Sequence, residues 1–91
     1  MNRFDIVKIL AKEKNLTEKD SHTVISTIIS EITQAMQLGD RVEFRGFGVF
    51  FANEREERIA RNPKTGAKIV VKKKKIPQFK MAKLFYETLN K

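Results

Sequence analysis

Between Asn53 and Lys75 the chain carries nine basic residues (Arg55, Arg58, Arg61, Lys64, Lys68, Lys72, Lys73, Lys74, Lys75) against three acidic ones, Glu54, Glu56 and Glu57. Nine minus three leaves +6 on this segment, out of a formal net charge of +8 for all 91 residues. At its middle lies Asn62-Pro63-Lys64-Thr65-Gly66, a turn in which Pro fixes φ and Gly permits positive φ. The flanks, Glu54–Arg61 and Ala67–Lys75, have strand length, and Ile69, Val70 and Val71 favour extended backbone. The spacing predicts one long β-hairpin with too few apolar residues to build a core of its own. Eight residues at roughly 3.3 Å each give an arm about 26 Å long. An isolated hairpin is marginal in water, so this arm is expected to be mobile until something binds it.

The rest of the chain has to supply the core. Residues 3–13 read as a short helix, with Asn2 as N-cap, Asp5 in the first turn and Phe4, Val7, Leu10 and Ala11 as its apolar stripe. A longer helix follows, opened by the capping signal of Thr17, Glu18 and Asp20 and stopped at Gly39. Its face of Val24, Ile25, Ile28, Ile29, Ile32, Ala35 and Met36 is rich in β-branched residues, so the helix depends on burial of that face. After Gly39 the period changes to two. Arg41-Val42-Glu43-Phe44-Arg45 alternates as a half-buried strand does, Gly46-Phe47-Gly48 reads as a turn, and Val49-Phe50-Phe51-Ala52 as a strand buried on both faces or against another chain. Ile76-Pro77-Gln78-Phe79 reads as a short edge strand, where Pro is tolerated, and a closing helix carries Met81, Ala82, Leu84, Phe85 and Leu89. The fold class is α+β: two N-terminal helices, a three-stranded antiparallel sheet with a protruding arm, and a short C-terminal helix. A single domain spans 1–91, with body 1–52 and 76–91 and arm 53–75.

That body is small, and with no cysteine it has no disulfide or thiolate–zinc site to reinforce it. Four of the seven phenylalanines fall between Phe44 and Phe51. A core shared between two copies related by a two-fold axis solves both problems, with Phe44, Phe47, Phe50, Phe79, Ile28, Ile29 and Ile32 as its expected members. Two bodies then project two arms.

Catalysis finds no support. His22 is the only histidine and falls in the first, exposed turn of the second helix without an oriented partner. The carboxylates are interspersed with lysines at helical spacing, as on a solvated face. Gly46-Phe47-Gly48 lacks the third glycine and the strand–helix setting of a dinucleotide site. No enzyme activity, metal or cofactor is expected. The longest run free of Asp, Glu, Lys and Arg is Ser21–Ser30, too short to span a bilayer. Asp5, Lys8 and Lys12 interrupt the N-terminal apolar pattern where a signal peptide would be uninterrupted, so a soluble intracellular protein is expected. The charge points to a polyanion, nucleic acid first. Arg45-Gly46-Phe47-Gly48 begins like the octapeptide of RNA-recognition motifs, but Val49 and Ala52 stand where aromatics belong, and that fold opens with a strand.

Gly46-Phe47, Phe50, Arg55, Arg58, Ala60 and Asn62-Pro63-Lys64-Thr65 together resemble the bacterial HU and integration host factor family of DNA-bending proteins, at the family's spacing and over essentially the whole chain. The resemblance implies an intertwined dimer whose arms reach around duplex DNA into the minor groove. It gives Arg55, Arg58, Arg61 and Asn62 contacts to backbone and groove, and makes Pro63 a wedge between base pairs. It places Arg3, Lys80 and Lys83 on flanking phosphates, and Phe47, Phe50 and Phe79 in the dimer core. The arm charge adds Lys64, Lys68, Lys72, Lys73 and Lys75 to the DNA-binding set. Of the two subclasses, the lysine-rich arm and the chain length resemble the sequence-tolerant, homodimeric HU type. Arg45-Gly46-Phe47-Gly48 resembles the beta subunit of the heterodimeric host factor. A small basic protein of a ribonucleoprotein particle is the alternative of a different class. Two departures stand out. Met81-Ala82 replace the family's usual Pro-Gly and favour an earlier start of the last helix, and Glu56-Glu57 sit among arm arginines, where they either pair with Arg58 in the free protein or lower affinity locally.

Overall fold

The computed structural model describes all 91 residues, which divide into two compact units, Met1–Gln34 and Ala35–Lys91. In the first, α1 (Arg3–Lys14) runs one residue past its expected end. Its start is a full capping box: the Asp5 N–H donates to Asn2 Oδ1 at 2.9 Å, and the Asn2 N–H donates to Asp5 Oδ2 at 3.0 Å. It ends at Asn15, whose φ of 53° is left-handed, with the Leu16 N–H closing on the Ala11 carbonyl at 2.9 Å. At α2 (Glu18–Gln37) the Asp20 N–H donates to Thr17 Oγ1 at 3.0 Å, the expected cap. Val7, Ala11, Ser21 and Ile25 form the buried centre of this unit. Ser21 is tolerated there because its hydroxyl donates to the Val7 carbonyl at 2.6 Å, leaving no buried donor unpaired. Val24, Ile28 and Ile29 stay exposed on α2.

The second unit is built on a three-stranded antiparallel sheet of β1 (Val42–Phe44), β2 (Gly48–Arg55) and β5 (Lys74–Met81), in the order β1-β2-β5. The register pairs Val42 with Phe50, Phe50 with Phe79, and Gly48 with both Phe44 and Met81, so these residues share one face. Phe44, Phe47, Phe50, Phe79 and Phe85 of α3 (Lys83–Leu89) form one aromatic network, with ring centroids 4.8 Å apart for Phe47–Phe85, 4.9 Å for Phe50–Phe79 and 5.2 Å for Phe47–Phe79. Val49, Phe50, Phe51 and Ala52 are each half-buried rather than enclosed on both faces. Phe44, Phe47 and Phe79 remain 41% exposed despite the network.

Three expectations change. The arm is two ladders, not one hairpin: the β2–β5 pairing ends at Arg55 opposite Lys74, and a separate pair, β3 (Arg58–Arg61) with β4 (Lys68–Val71), resumes beyond it. Glu56-Glu57 and Lys72-Lys73, residue types that strands disfavour, lie unpaired between them. Ile76–Phe79 is the middle of the eight-residue β5, which lies at the sheet edge, so Pro77 is accommodated there as expected. The last helix does not begin early. Met81 is held in register with Gly48, and the Ala82 N–H donates to the Phe47 carbonyl at 2.9 Å, so the tertiary ladder overrides local helix preference until Lys83. No helix is long and apolar enough to cross a membrane.

Gly48 is fixed by contact. A Cβ placed there would stand 2.6 Å from the Lys80 carbonyl oxygen and closer still to the Phe79 ring. Gly48→Ala is therefore expected to destabilise the protein by about 1–3 kcal/mol, the usual cost of overpacking. Urea unfolding reads this directly, and a midpoint equal to wild type would contradict the packing described.

Candidate nucleic-acid interface

The turn that closes the arm is held by its own hydrogen bonds. The Asn62 N–H donates to the Ala67 carbonyl and the Gly66 N–H to the Asn62 carbonyl, both at 2.8 Å. The Lys64 N–H donates to Asn62 Oδ1 at 2.9 Å and the Ala67 N–H to Thr65 Oγ1 at 3.3 Å. Gly66 takes the φ of +70° that the turn requires. Pro63 stands exposed on this braced tip, while Asn62 is half-buried with its side-chain oxygen committed inside the turn.

Behind the tip the register places like charges opposite each other: Arg61 faces Lys68, and Arg55 faces Lys74. Such pairs oppose strand pairing in water and are relieved by a shared anion. Arg58 faces Val71 instead, on the other side of the ribbon. Ile59, 70% exposed, faces Val70, so an apolar pair lies next to the Arg61–Lys68 pair on the same face.

Several expected cations already have partners. Lys73 Nζ lies 3.3 Å from Glu54 Oε2, and Lys83 Nζ lies 3.8 Å from Glu87 Oε1. Lys75 Nζ donates to the Gln37 carbonyl at 2.5 Å, where it caps a helix end that has no basic residue in its last turn. The Arg3 guanidinium donates to Ser26 Oγ. Arg55, Arg58, Arg61, Lys64, Lys68, Lys72 and Lys80 are exposed, and the ion pairs and side-chain hydrogen bonds present involve none of their side chains.

Three cations escape the sequence reading. Lys74, within the lysine run, is brought opposite Arg55. Arg41 and Arg45 line a cleft of about 520 Å³ with Glu43, Phe44, Val49, Phe51, Lys80 and Met81, at the β1 side of the sheet. Their alternation with Val42 and Phe44 was the available signal, since residues two apart share a strand face.

A sheet that extends into a cationic ribbon with a braced, exposed proline at its end is the outline of a nucleic-acid-binding module. The family model described as bacterial DNA-binding protein matches residues 1–90. The chain belongs to that family, the HU and integration host factor family. It is similar to Anabaena HU in a cocrystal with DNA, at 35% identity and a TM-score of 0.81, covering 98% of this chain and 97% of that one. It is also similar to HU from Thermotoga maritima, at 25% identity and a TM-score of 0.70, covering 98% of each. A mutant of transcription factor 1, at 21% identity and a TM-score of 0.67 over 99% of this chain and 91% of that one, shares the fold.

Asn62→Ala removes the acceptor that braces Lys64. Loss of one such bond, worth about 1 kcal/mol, is expected to speed amide exchange at Lys64 about fivefold. Unchanged exchange there would show that the turn does not depend on the Asn62 side chain.

Proposed function

We propose that this DNA-binding protein is an HU-like architectural factor, which bends and compacts duplex DNA with little regard to sequence, as a homodimer in the bacterial cytoplasm and nucleoid. The observation that carries the reading is the exposed Pro63 on a turn braced by four internal hydrogen bonds. Pro is a stiff apolar wedge with no N–H to strip of water, and the hydrogen-bonded turn behind it keeps the wedge from folding back. Unstacking a base step costs a few kcal/mol, offset by the larger surface that bent DNA presents to the protein.

In this reading the arm lies in the minor groove. Arg55, Arg58, Arg61, Lys64, Lys68 and Lys72 neutralise phosphates along both groove walls, aided by Lys73 once it leaves Glu54. Arg3, Lys80 and Lys83 hold the flanks of the bend, and Lys83 sets aside a weak exposed pair with Glu87 to do so. Asn62 acts mainly by bracing the turn, and Lys75 by fixing the base of the arm. A second copy covers Phe44, Phe47, Phe50 and Phe79 of the second unit, and Ile28, Ile29 and Ile32 of the first, of which only Phe50 and Ile32 are half-buried in one chain. The 35% identity to Anabaena HU favours the HU type over the host-factor type.

Pro63→Ala is expected to lose more bending than affinity. On a duplex with donor and acceptor dyes at its ends, the variant leaves the ends further apart at saturation, and bending equal to wild type would remove the wedge role. Replacing both Arg58 and Arg61 by Ala is expected to lower the slope of log K against log salt by about two units. A slope that does not move would take both residues off the phosphates.

A further inference from the structure

The interruption in the arm is a break without a slip. Arg55 pairs with Lys74 on one side and Arg58 with Val71 on the other, so each strand contributes two unpaired residues and the register carries straight through. A bulge would have added a residue to one strand and fixed a bend. An equal gap instead leaves the two ladders joined by backbone with no cross-strand hydrogen bonds, free to flex about the arm's long axis. The proximal side is fixed by the β2–β5 ladder and by the hydrogen bond from Lys75 to Gln37. The distal side is a short ladder of four residues per strand behind the braced tip.

Of the arm's three acidic residues, Glu56 and Glu57 lie in this break and Glu54 stands just before it, opposite Lys75 in the β2–β5 ladder. Glu54 holds Lys73 directly at 3.3 Å. Glu56 and Glu57 line an opening of about 320 Å³ together with Arg55, Arg58, Val71 and Lys74. Beyond the break the arm has no carboxylate, only the cations Arg58, Arg61, Lys64 and Lys68. Glu56 and Glu57 therefore occupy the stretch where cations from both strands converge without a ladder to hold them, and Glu54 reaches across to its edge. With both partners about half-exposed, at 55% and 47%, the Glu54–Lys73 pair adds little to stability, so its consequence lies in binding.

We propose that Glu54, Glu56 and Glu57 form an electrostatic latch on a hinge. In the free protein they stand in for phosphates beside the hinge cations, and DNA must displace them, so they set how strongly the arm engages. This rests on the arm being the DNA-binding element. The exchange spends part of the arm's charge on releasing its own carboxylates, which weakens binding and flattens its salt dependence.

The test compares wild type with Glu56→Gln/Glu57→Gln on one random-sequence duplex across a salt series. The hinge variant is expected to bind about three- to tenfold more tightly at low salt, with a slope steeper by about two units. Glu13→Gln/Glu31→Gln makes the same charge change on α1 and α2 and is expected to stay within about twofold of wild type. An unchanged hinge variant, or a control that gains as much, would overturn the latch. Should wild type not bind DNA at all, the proposed function fails, and the latch is judged on the free protein. There, ¹⁵N relaxation is expected to show larger fast motion at the Ile59 and Val70 amides when Glu54, Glu56 and Glu57 are all changed to Gln. Unchanged relaxation would overturn it whatever the DNA result.

Discussion

The second unit depends on one close approach. Gly48 lets β2 come so near to β5 that the Phe79 ring and the Lys80 carbonyl occupy the space of its missing side chain. That approach puts Phe79 against Phe47 and Phe50, and Phe47 in turn holds Phe85 at 4.8 Å edge-on. The same seam carries the hydrogen bond from Ala82 to Phe47 that delays α3, so strand end, helix start and aromatic network are fixed together. Yet the network is finished on one side only, because Phe44 and Phe47 keep 41% of their surface in water. Burying apolar surface is the main force available to a chain with no disulfide, and here it is left partly unused. The proposed second copy is what completes it.

The arm follows the opposite logic. Its body-side strands are continuous with the sheet, but β3 and β4 of its outer half have only Ile59, Ala60, Ile69, Val70 and Val71 as apolar residues, with Ile59, Ile69 and Val70 exposed. What holds it is the turn, whose four hydrogen bonds need no core. What opposes it is charge, with Arg61 set against Lys68 and Arg55 against Lys74. Such a ribbon is poorly stabilised alone and better stabilised by an array of phosphates, which links its marginal free state to the proposed function.

Much of this was legible in the residues. Helical spacing and caps located α1 and α2, since Asn2 and Thr17 announce their roles by type and position. The period of two located β1, and Pro63 with Gly66 located the tip. The aromatic cluster could be foreseen because phenylalanines crowd Phe44–Phe51, although Phe85 enters it from α3 through packing that no local pattern encodes. The length of β5 and the start of α3 are decided by partners distant in sequence, whereas the break at Glu56-Glu57 and Lys72-Lys73 falls on residue types that strands disfavour. Reading Ala67–Lys75 as one strand joined two elements that pair with different neighbours. Lys75 looked like one more phosphate-binding lysine, and only the fold brings it to the Gln37 carbonyl. Arg41 and Arg45 flank β1 far from the dense charge of the arm, so charge density alone does not single them out.

The central claim is that one chain is half of a core, and that two chains together carry two arms. Sedimentation equilibrium of the DNA-free protein at micromolar concentration tests it most directly. The account predicts a single species near twice the chain mass of 10.6 kDa. A compact, folded monomer at 10.6 kDa would contradict it.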